Sequence, residues 1–154
     1  MRPAEAGPMR RLAALGTLGT LTVLLAGCVS PAWDDHDYSL KAAATAEAAA
    51  SSLEIVRLAV ANETRLTTPY LKTVLTEAAE ETGGLGTQFG GVQPPTDAAD
   101  RVRAEVLDLT SRAEEQVSDL LVQVRRDGVE NPARAVGELE KLAAELRRFG
   151  EAHR

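Results

Sequence analysis

The sequence predicts an all-α protein, an antiparallel bundle of four helices, two long and two short. Along four segments, apolar residues recur at alternating spacings of three and four, which is the period of one helix face. No bounded run alternates β-branched or aromatic residues with polar ones, as a half-buried strand would. The chain has one Trp, two Tyr and two Phe. Its core must therefore consist mainly of Leu, Val, Ile and Ala, and such cores favour closely packed helices.

The first helix is predicted to run from about Ser39 to about Leu66. Its inward stripe is Ala42, Ala46, Ala49, Leu53, Val56 and Val60. The first half of this stripe is alanine, whereas the second half has larger side chains. We therefore expect close packing at one end of the helix and more of the hydrophobic stabilisation at the other.

The second helix is predicted to begin at Thr68, as an N-cap residue followed by Pro69 at the first helical position. A pair of glycines starting at Gly83 is predicted to end it. The inner face consists of Leu71, Val74, Leu75 and Ala78. The segment from Gly83 to Pro95 is then predicted to be a loop, long for a bundle, with Phe89 and Val92 holding it against the core. The sequence leaves open whether this loop is ordered.

The third helix is predicted to open at Thr96-Asp97 and to stop at Asp127-Gly128, which makes it the longest. The fourth opens at Asn131-Pro132 and ends at Gly150, after which the tail is expected to fray. The inner face of the third helix is Ala99, Val102, Val106, Leu109, Ala113, Val117, Leu120, Leu121 and Val124. That of the fourth is Val136, Leu139, Leu142, Ala143, Leu146 and Phe149.

The N-terminal segment has the features of a secretory leader. Two arginines, Arg10 and Arg11, precede an apolar stretch from Leu12 to Leu25, which is shorter than the ~20 residues of a membrane-spanning helix. Leu25-Ala26-Gly27-Cys28 follows. This run resembles the lipobox of bacterial lipoprotein signals. The resemblance implies cleavage before Cys28 and a diacylglyceryl group on its thiol, whose two acyl chains give stable membrane attachment.

The resemblance divides the chain into a signal peptide (1–27), a lipidated cysteine with a short tether (28–38) and a helical bundle domain (39–154). It implies a protein at the outer face of the cytoplasmic membrane. Cys28 is the only cysteine, so no internal disulfide and no multi-cysteine zinc site is available. Both Met1 and Met9 are possible starts of translation, and the leader itself favours Met9.

Composition limits the partners of the mature chain. The leader holds three of the 17 basic residues and one of the 23 acidic residues, which leaves 14 and 22, a net charge of −8. This balance argues against nucleic acid, which is bound by neutralising phosphates. It also argues against binding to anionic lipid through a basic face. The acyl group on Cys28 is then the expected contact with the membrane.

The amino-acid usage and one segment of the chain point to the kind of organism from which the protein comes. Arginine outnumbers lysine fourteen to three and alanine is abundant, a usage typical of GC-rich genomes such as those of actinomycetes. The run from Tyr38 to Ala49, with Trp33 before it, resembles the start of the mature region in uncharacterised actinobacterial lipoproteins. That resemblance covers one helix and implies no activity and no site residues.

Two segments contain residue types found in ligand sites but lack the spacing or the fixed geometry that such sites need. Gly84, Gly86 and Gly90 follow a predicted helix with the spacing G-x-G-x-x-x-G, which matches neither a dinucleotide fingerprint nor a phosphate loop. The acidic run from Asp34 to Asp37, with His36 inside it, offers metal ligands, but a tether provides no fixed geometry for them. We predict a flexible connector and a solvated linker, with no cofactor or metal.

Catalytic residues are also not expected. The only other histidine, His153, lies at the mobile end of the chain, so no Ser-His-Asp set is predicted. The paired acids at residues 80–81 and 114–115 are adjacent on helices and do not face each other across a cleft. We therefore predict that the protein is not an enzyme.

Trp33 has two possible roles at the start of the domain. Its indole either lies at the level of the lipid headgroups, where it is favoured, or packs against the end of the bundle. We expect packing.

Two functions remain open. The first is a structural or protein-interaction module that docks a partner or a second copy at the membrane. The second is a bundle that binds a small ligand or acts as a sensor, with a pocket near the glycine-rich loop lined by Arg65, Tyr70 and Phe89. A filled alanine-leucine core favours the first function, and an enclosed apolar cavity favours the second.

Overall fold

The computed structural model describes residues 32–154, and this part of the chain consists of helices joined by short connections. The four helices are α1 (Asp35–Ala61), α2 (Thr68–Gly90), α3 (Asp97–Arg126) and α4 (Pro132–Ala152), with a 3₁₀ turn at Glu63–Arg65 after α1. No strand occurs within residues 32–154. The predicted all-α bundle of four helices is confirmed.

Each helix runs antiparallel to the next. The start of α1 meets the end of α2, where the ring centroids of Tyr38 and Phe89 are 5.1 Å apart. The middle of α1 meets the middle of α2, where the Ser52 hydroxyl donates to the Glu81 carboxylate at 2.6 Å. The closest associations are α1 with α4 and α2 with α3, and α1 contacts all three other helices. Helix α3 likewise contacts all three others, so α1 and α3 are the two helices that connect the whole bundle.

The first helix begins four residues before the predicted position. The Asp34 carboxylate accepts a hydrogen bond from the backbone N–H of Asp37 at 2.8 Å, which makes Asp34 the N-cap. Residues 35–37, which the sequence analysis assigned to the tether, belong to α1 because acidic side chains are favourable in the first turn of a helix. The helix also ends earlier than predicted, at Ala61.

The prediction that α2 ends at the first glycine pair is wrong. The helix continues through the glycine-rich segment to Gly90, and its backbone there is right-handed. A Cβ atom on Gly83 would lie 2.9 Å from the Glu114 carboxylate, and one on Gly86 would lie 3.1 Å from the Thr110 hydroxyl. These glycines allow close approach of α2 and α3, and packing against α3 compensates for their low helix propensity.

The starts of the later helices lie close to their predicted positions. Thr96 and Asn131 cap α3 and α4 by accepting hydrogen bonds from backbone N–H groups, and Gly128, with φ +115°, follows the end of α3. The N-cap residue of α2 is Thr67, one residue before the predicted N-cap Thr68, so that Thr68 is the first helical residue. Helix α4 continues past Gly150 to Ala152.

The core contains the side chains that the helical period selects. Every predicted inward residue of α1 is buried, and Phe89 and Val92 are buried as predicted. Three inward residues are half-buried: Val74, Val102 and Val136. The inward alanines of α1, Ala42, Ala46 and Ala49, are fully buried, which lets neighbouring helices approach closely. Within residues 32–154 no helix is both long and apolar enough to cross a membrane.

Candidate functional site: the outward face of the first helix

The predicted lipid-attachment site, Cys28 with Leu25, Ala26 and Gly27, lies outside the described residues. The first described aromatic residue after it is Trp33. Its side chain is 86% exposed, so the prediction that Trp33 packs against the end of the bundle is wrong. Its backbone N–H donates to the Asp37 carboxylate at 3.1 Å, which fixes the chain beside the first turn of α1.

The acidic segment at the start of α1 is used for structure. Asp34 caps the helix, and Asp35 accepts a hydrogen bond from the Thr96 hydroxyl at 2.7 Å, which connects the starts of α1 and α3. The Lys41 ammonium lies 2.9 Å from the Asp37 carboxylate. Hydrogen bonds from Lys41 and from the backbone of Trp33 hold the pKa of Asp37 below its usual value. Within residues 32–154 no cluster of His, Asp or Glu side chains could hold a metal ion.

The ligand pocket proposed from the sequence is not assembled. Phe89 is buried against Tyr38, whereas Tyr70 and Arg65 are exposed. Tyr70 and Phe89 lie near opposite ends of α2, about 28 Å apart at 1.5 Å per residue. The three side chains therefore cannot contact one small ligand.

One surface cleft lies at the opposite end of the bundle from Trp33. It has a volume of about 450 Å³ and is open to solvent. Its border combines cations such as Lys72 and Arg125 with the acids Glu63 and Asp127. This mixture of charges at an open surface shows no preference for one class of ligand.

The C-terminal residues are ordered against the bundle, contrary to the expected fraying. The His153 ring stacks on Phe149 with centroids 4.1 Å apart, and its Nδ1 lies 2.8 Å from the Phe149 carbonyl oxygen. Arg154 pairs with Glu47 of α1. His153 thus completes the end of α4.

One buried polar atom lacks a partner within residues 32–154. The Tyr38 hydroxyl is fully buried and makes no hydrogen bond. Burial raises the pKa of this phenol, and Asp100 raises it further, whereas Arg103 opposes the change. This group is enclosed by core residues, and Tyr38 does not border the cleft described above.

The most unusual surface is the outward face of α1. Between Leu40 and Ala61 the exposed residues of α1 are Leu40, Ala44, Ser51, Ile55, Leu58 and Ala61. None of them is charged. Leu40, Ile55 and Leu58 expose 41%, 56% and 50% of their surface. An apolar face of this length, about 27 Å between Leu40 and Leu58, is unusual on a helix in contact with water.

The charged residues of the same helix lie on its flanks, where they are half-buried and paired. Lys41 pairs with Asp37, Glu47 with Arg154, and Glu54 with Arg57 at 2.6 Å and with Arg147 of α4 at 3.7 Å. Its arginine partners hold the pKa of Glu54 below its usual value. No unpaired charge therefore borders the outward face within α1.

This face was not predicted from the sequence, because the inward stripe alone defines the helical period. The signal in the sequence was that α1 has no distinct polar side. Alanine, leucine, isoleucine and valine occur on all sides of α1, whereas α3 and α4 have clearly separated apolar and polar sides. A helix without a polar side needs cover on every side.

Comparison with protein-family models, with curated proteins and with solved structures finds no match for the chain. The candidate site is therefore argued from its own geometry alone.

Proposed function

We propose that the protein is a protein-interaction module anchored at the outer face of the cytoplasmic membrane, and that the outward face of α1 is its contact surface. The observation that carries the proposal is the uncharged face from Leu40 to Leu58 on a bundle whose other long helix, α3, has a strongly charged exterior. Apolar faces of this kind mark sites of association.

The anchor is supported by the leader sequence. The lipobox-like run before Cys28 follows two arginines and a short apolar segment. The net charge of −8 on the mature chain gives no electrostatic attraction to anionic lipid, so an acyl group supplies the attachment that the bundle itself lacks. Because Trp33 lies five residues after Cys28, the bundle is held close to the bilayer, where its partner must also lie.

An interaction role fits the interior better than a ligand-binding role. The described core is filled by alanine and larger aliphatic side chains, and the cleft bordered by Lys72 and Arg125 is open and of mixed polarity. Most ligand sites are enclosed and largely apolar. The face of α1 offers contact area instead of a cavity.

The anchor is tested by the intact mass of the protein extracted from membranes. The proposal predicts a chain that begins at Cys28 and carries a diacylglyceryl group, and it predicts that Cys28→Ser retains residues 1–27. A native chain with an unmodified thiol at residue 28 contradicts the anchor.

The interaction role is tested separately by chemical cross-linking in intact cells. We expect a cross-linked species with the wild-type chain and its loss with Ile55→Glu. If only the monomer is recovered, and its amount does not fall even with saturating cross-linker, the interaction role is contradicted.

A further inference from the structure

We propose that the partner of the outward face of α1 is a second copy of this chain, packed face to face with α1 antiparallel to α1 of the other copy about a two-fold axis close to Ala48. This inference rests on the interaction role proposed above and names its partner. It is carried by the order of side chains along the face, by the large exposed residues beside it and by the distribution of charge.

The order of side chains along the face is nearly symmetric. Large residues lie at the two ends, Leu40 at one and Ile55 with Leu58 at the other, and the small residues Ala44 and Ser51 lie between them. An antiparallel pairing centred near residue 48 places Ala44 opposite Ser51 of the second copy. It also places Leu40 opposite Ile55. Small residues then meet at the centre, where helices can approach closely, with the Glu47–Arg154 pair at its edge. Leu40 meets Ile55 at both ends, and Leu58 lies opposite the Asp37–Lys41 pair of the other copy.

Two exposed aromatic residues follow the same symmetry. Trp33 lies beside the first turn of α1, held by its hydrogen bond to Asp37. Tyr70, which is 56% exposed, lies at the other end, on the first turns of α2. It is on the same side of α2 as Glu81, which contacts Ser52 of α1, because eleven residues make about three turns. The two-fold axis brings Trp33 of one copy to the end that holds Tyr70 of the other.

Five of the six large hydrophobic residues that are exposed within residues 32–154 are used by this arrangement: Trp33, Leu40, Ile55, Leu58 and Tyr70. The sixth, Val122, lies on α3. One symmetry operation therefore covers nearly all the exposed large apolar side chains of the described chain. A self-complementary patch of this kind is what a two-fold dimer requires.

The charges favour a second copy over a lipid surface. The charged residues of α1 that flank the face are paired within their own copy, so dimerisation leaves no charge buried without a partner. A bilayer would instead be met by the exposed Glu81 and by a chain of net negative charge, which anionic headgroups repel. The small residues at the centre of the face would also insert little apolar surface into lipid.

The area of the face predicts a dimer of modest affinity. A strip about 27 Å long and about 10 Å wide is near 300 Å², whereas a standard interface buries about 800 Å² on each partner. Trp33, Tyr70 and the adjoining flanks of α2 and α4 must supply the remainder. Confinement to one membrane surface raises the local concentration of anchored copies, so modest affinity is sufficient there.

The test is sedimentation equilibrium of the processed protein in a density-matched detergent, with two matched variants. Ile55→Glu places a charge on the face, and Val122→Glu places one at an exposed valine on α3, where 44% of the residue is accessible against 56% for Ile55. We expect a monomer–dimer equilibrium for wild type and for Val122→Glu. For Ile55→Glu the dissociation constant should rise about a hundredfold, because a loss of about tenfold occurs at each of two equivalent positions. Circular dichroism confirms that both variants are folded.

Disulfide trapping tests the register. Ala48→Cys lies near the axis, and its control, Ala104→Cys, lies on the exposed side of α3. Oxidation should give a covalent dimer with Ala48→Cys and little with Ala104→Cys. Equal trapping at both positions overturns the proposal.

Two further results would overturn the second copy as the partner. The first is a wild-type chain that stays monomeric at all accessible concentrations, even if cells yield a cross-linked species of another mass; the interaction role would then stand without this partner. The second is a chain that stays monomeric in vesicles and in which, with Trp33→Phe as background, the fluorescence of Ile55→Trp is quenched by brominated phosphatidylcholine while that of Val122→Trp is not. That result would assign the face to lipid.

Discussion

The first and third helices of this bundle are of similar length but meet water in opposite ways. The exposed side of α3 is covered by charged residues, which are Asp97, Asp100, Arg101, Glu105, Asp108, Arg112, Glu114, Glu115, Asp119, Arg125 and Arg126. The exposed side of α1 between Leu40 and Ala61 has none. Both helices bury their inward stripes, with Val102 of α3 half-buried. The apolar outward side of α1 is left exposed by the other helices of the described chain, and this is why we assign it to association.

The largest expected effect separates the two sides of α1. Leu53 is fully buried, whereas Leu58 is half exposed on the outward face. Leu53→Ala should lower the free energy of unfolding by about 2–5 kcal/mol, through lost burial and a cavity. Leu58→Ala should lower it by less than about 1 kcal/mol in the monomer. Urea denaturation at low protein concentration measures both, and equal losses would show that the outward face belongs to the core.

A second pair of substitutions tests how closely α1 is packed. Ala46 is fully buried and Ala44 is exposed on the same helix. Ala46→Leu should destabilise the monomer by about 1–3 kcal/mol because there is no space for the larger side chain. Ala44→Leu should change its stability by less than about 0.5 kcal/mol. A tolerated leucine at position 46 would mean that the neighbours of α1 are not in close contact with it.

A third pair compares helix starts. The Thr96 hydroxyl accepts from the backbone N–H of Ala99 at 3.2 Å and donates to Asp35 at 2.7 Å. The Thr67 side chain makes no capping hydrogen bond to α2. Thr96→Ala should therefore cost about 1 kcal/mol, and Thr67→Ala should cost a few tenths at most. Thermal unfolding followed by circular dichroism distinguishes them, and a larger loss at position 67 would contradict the capping assignment.

The smallest expected effect concerns the buried phenol of α1. Because the Tyr38 hydroxyl has no hydrogen-bond partner within residues 32–154, Tyr38→Phe removes an unfavourable burial and keeps the ring contact with Phe89. The variant should be as stable as wild type or more stable, by up to about 1 kcal/mol. Urea denaturation measures the difference, and a loss above about 1 kcal/mol would show that the hydroxyl is bonded in solution.

The fold was predictable where one local rule decides the outcome. The inward stripe of α1 follows from the helical period. The starts of α3 and α4 follow from Thr96 and Asn131, whose side chains cap them. These signals need no knowledge of neighbouring helices.

The remaining features depend on contacts that a single segment does not show. Gly83 alone predicts the end of a helix, but it lies inside α2. The Glu114 side chain of α3 occupies the space that a Cβ atom at position 83 would need. Asp35 reads as tether because its partner, Thr96, is 61 residues away in the chain. The candidate site was missed for a related reason: Ile55 lies outside the predicted inward stripe, and only the packing of the other helices shows that its side stays exposed.

The most direct test is site-specific photo-cross-linking in intact cells, with a benzophenone amino acid replacing Ile55 in one strain and Val122 in another. We expect a cross-linked species of twice the mass of the chain from position 55 and little from position 122. Equal yields at the two positions, or no cross-linked species from position 55, would contradict the claim that the outward face of α1 is the contact surface.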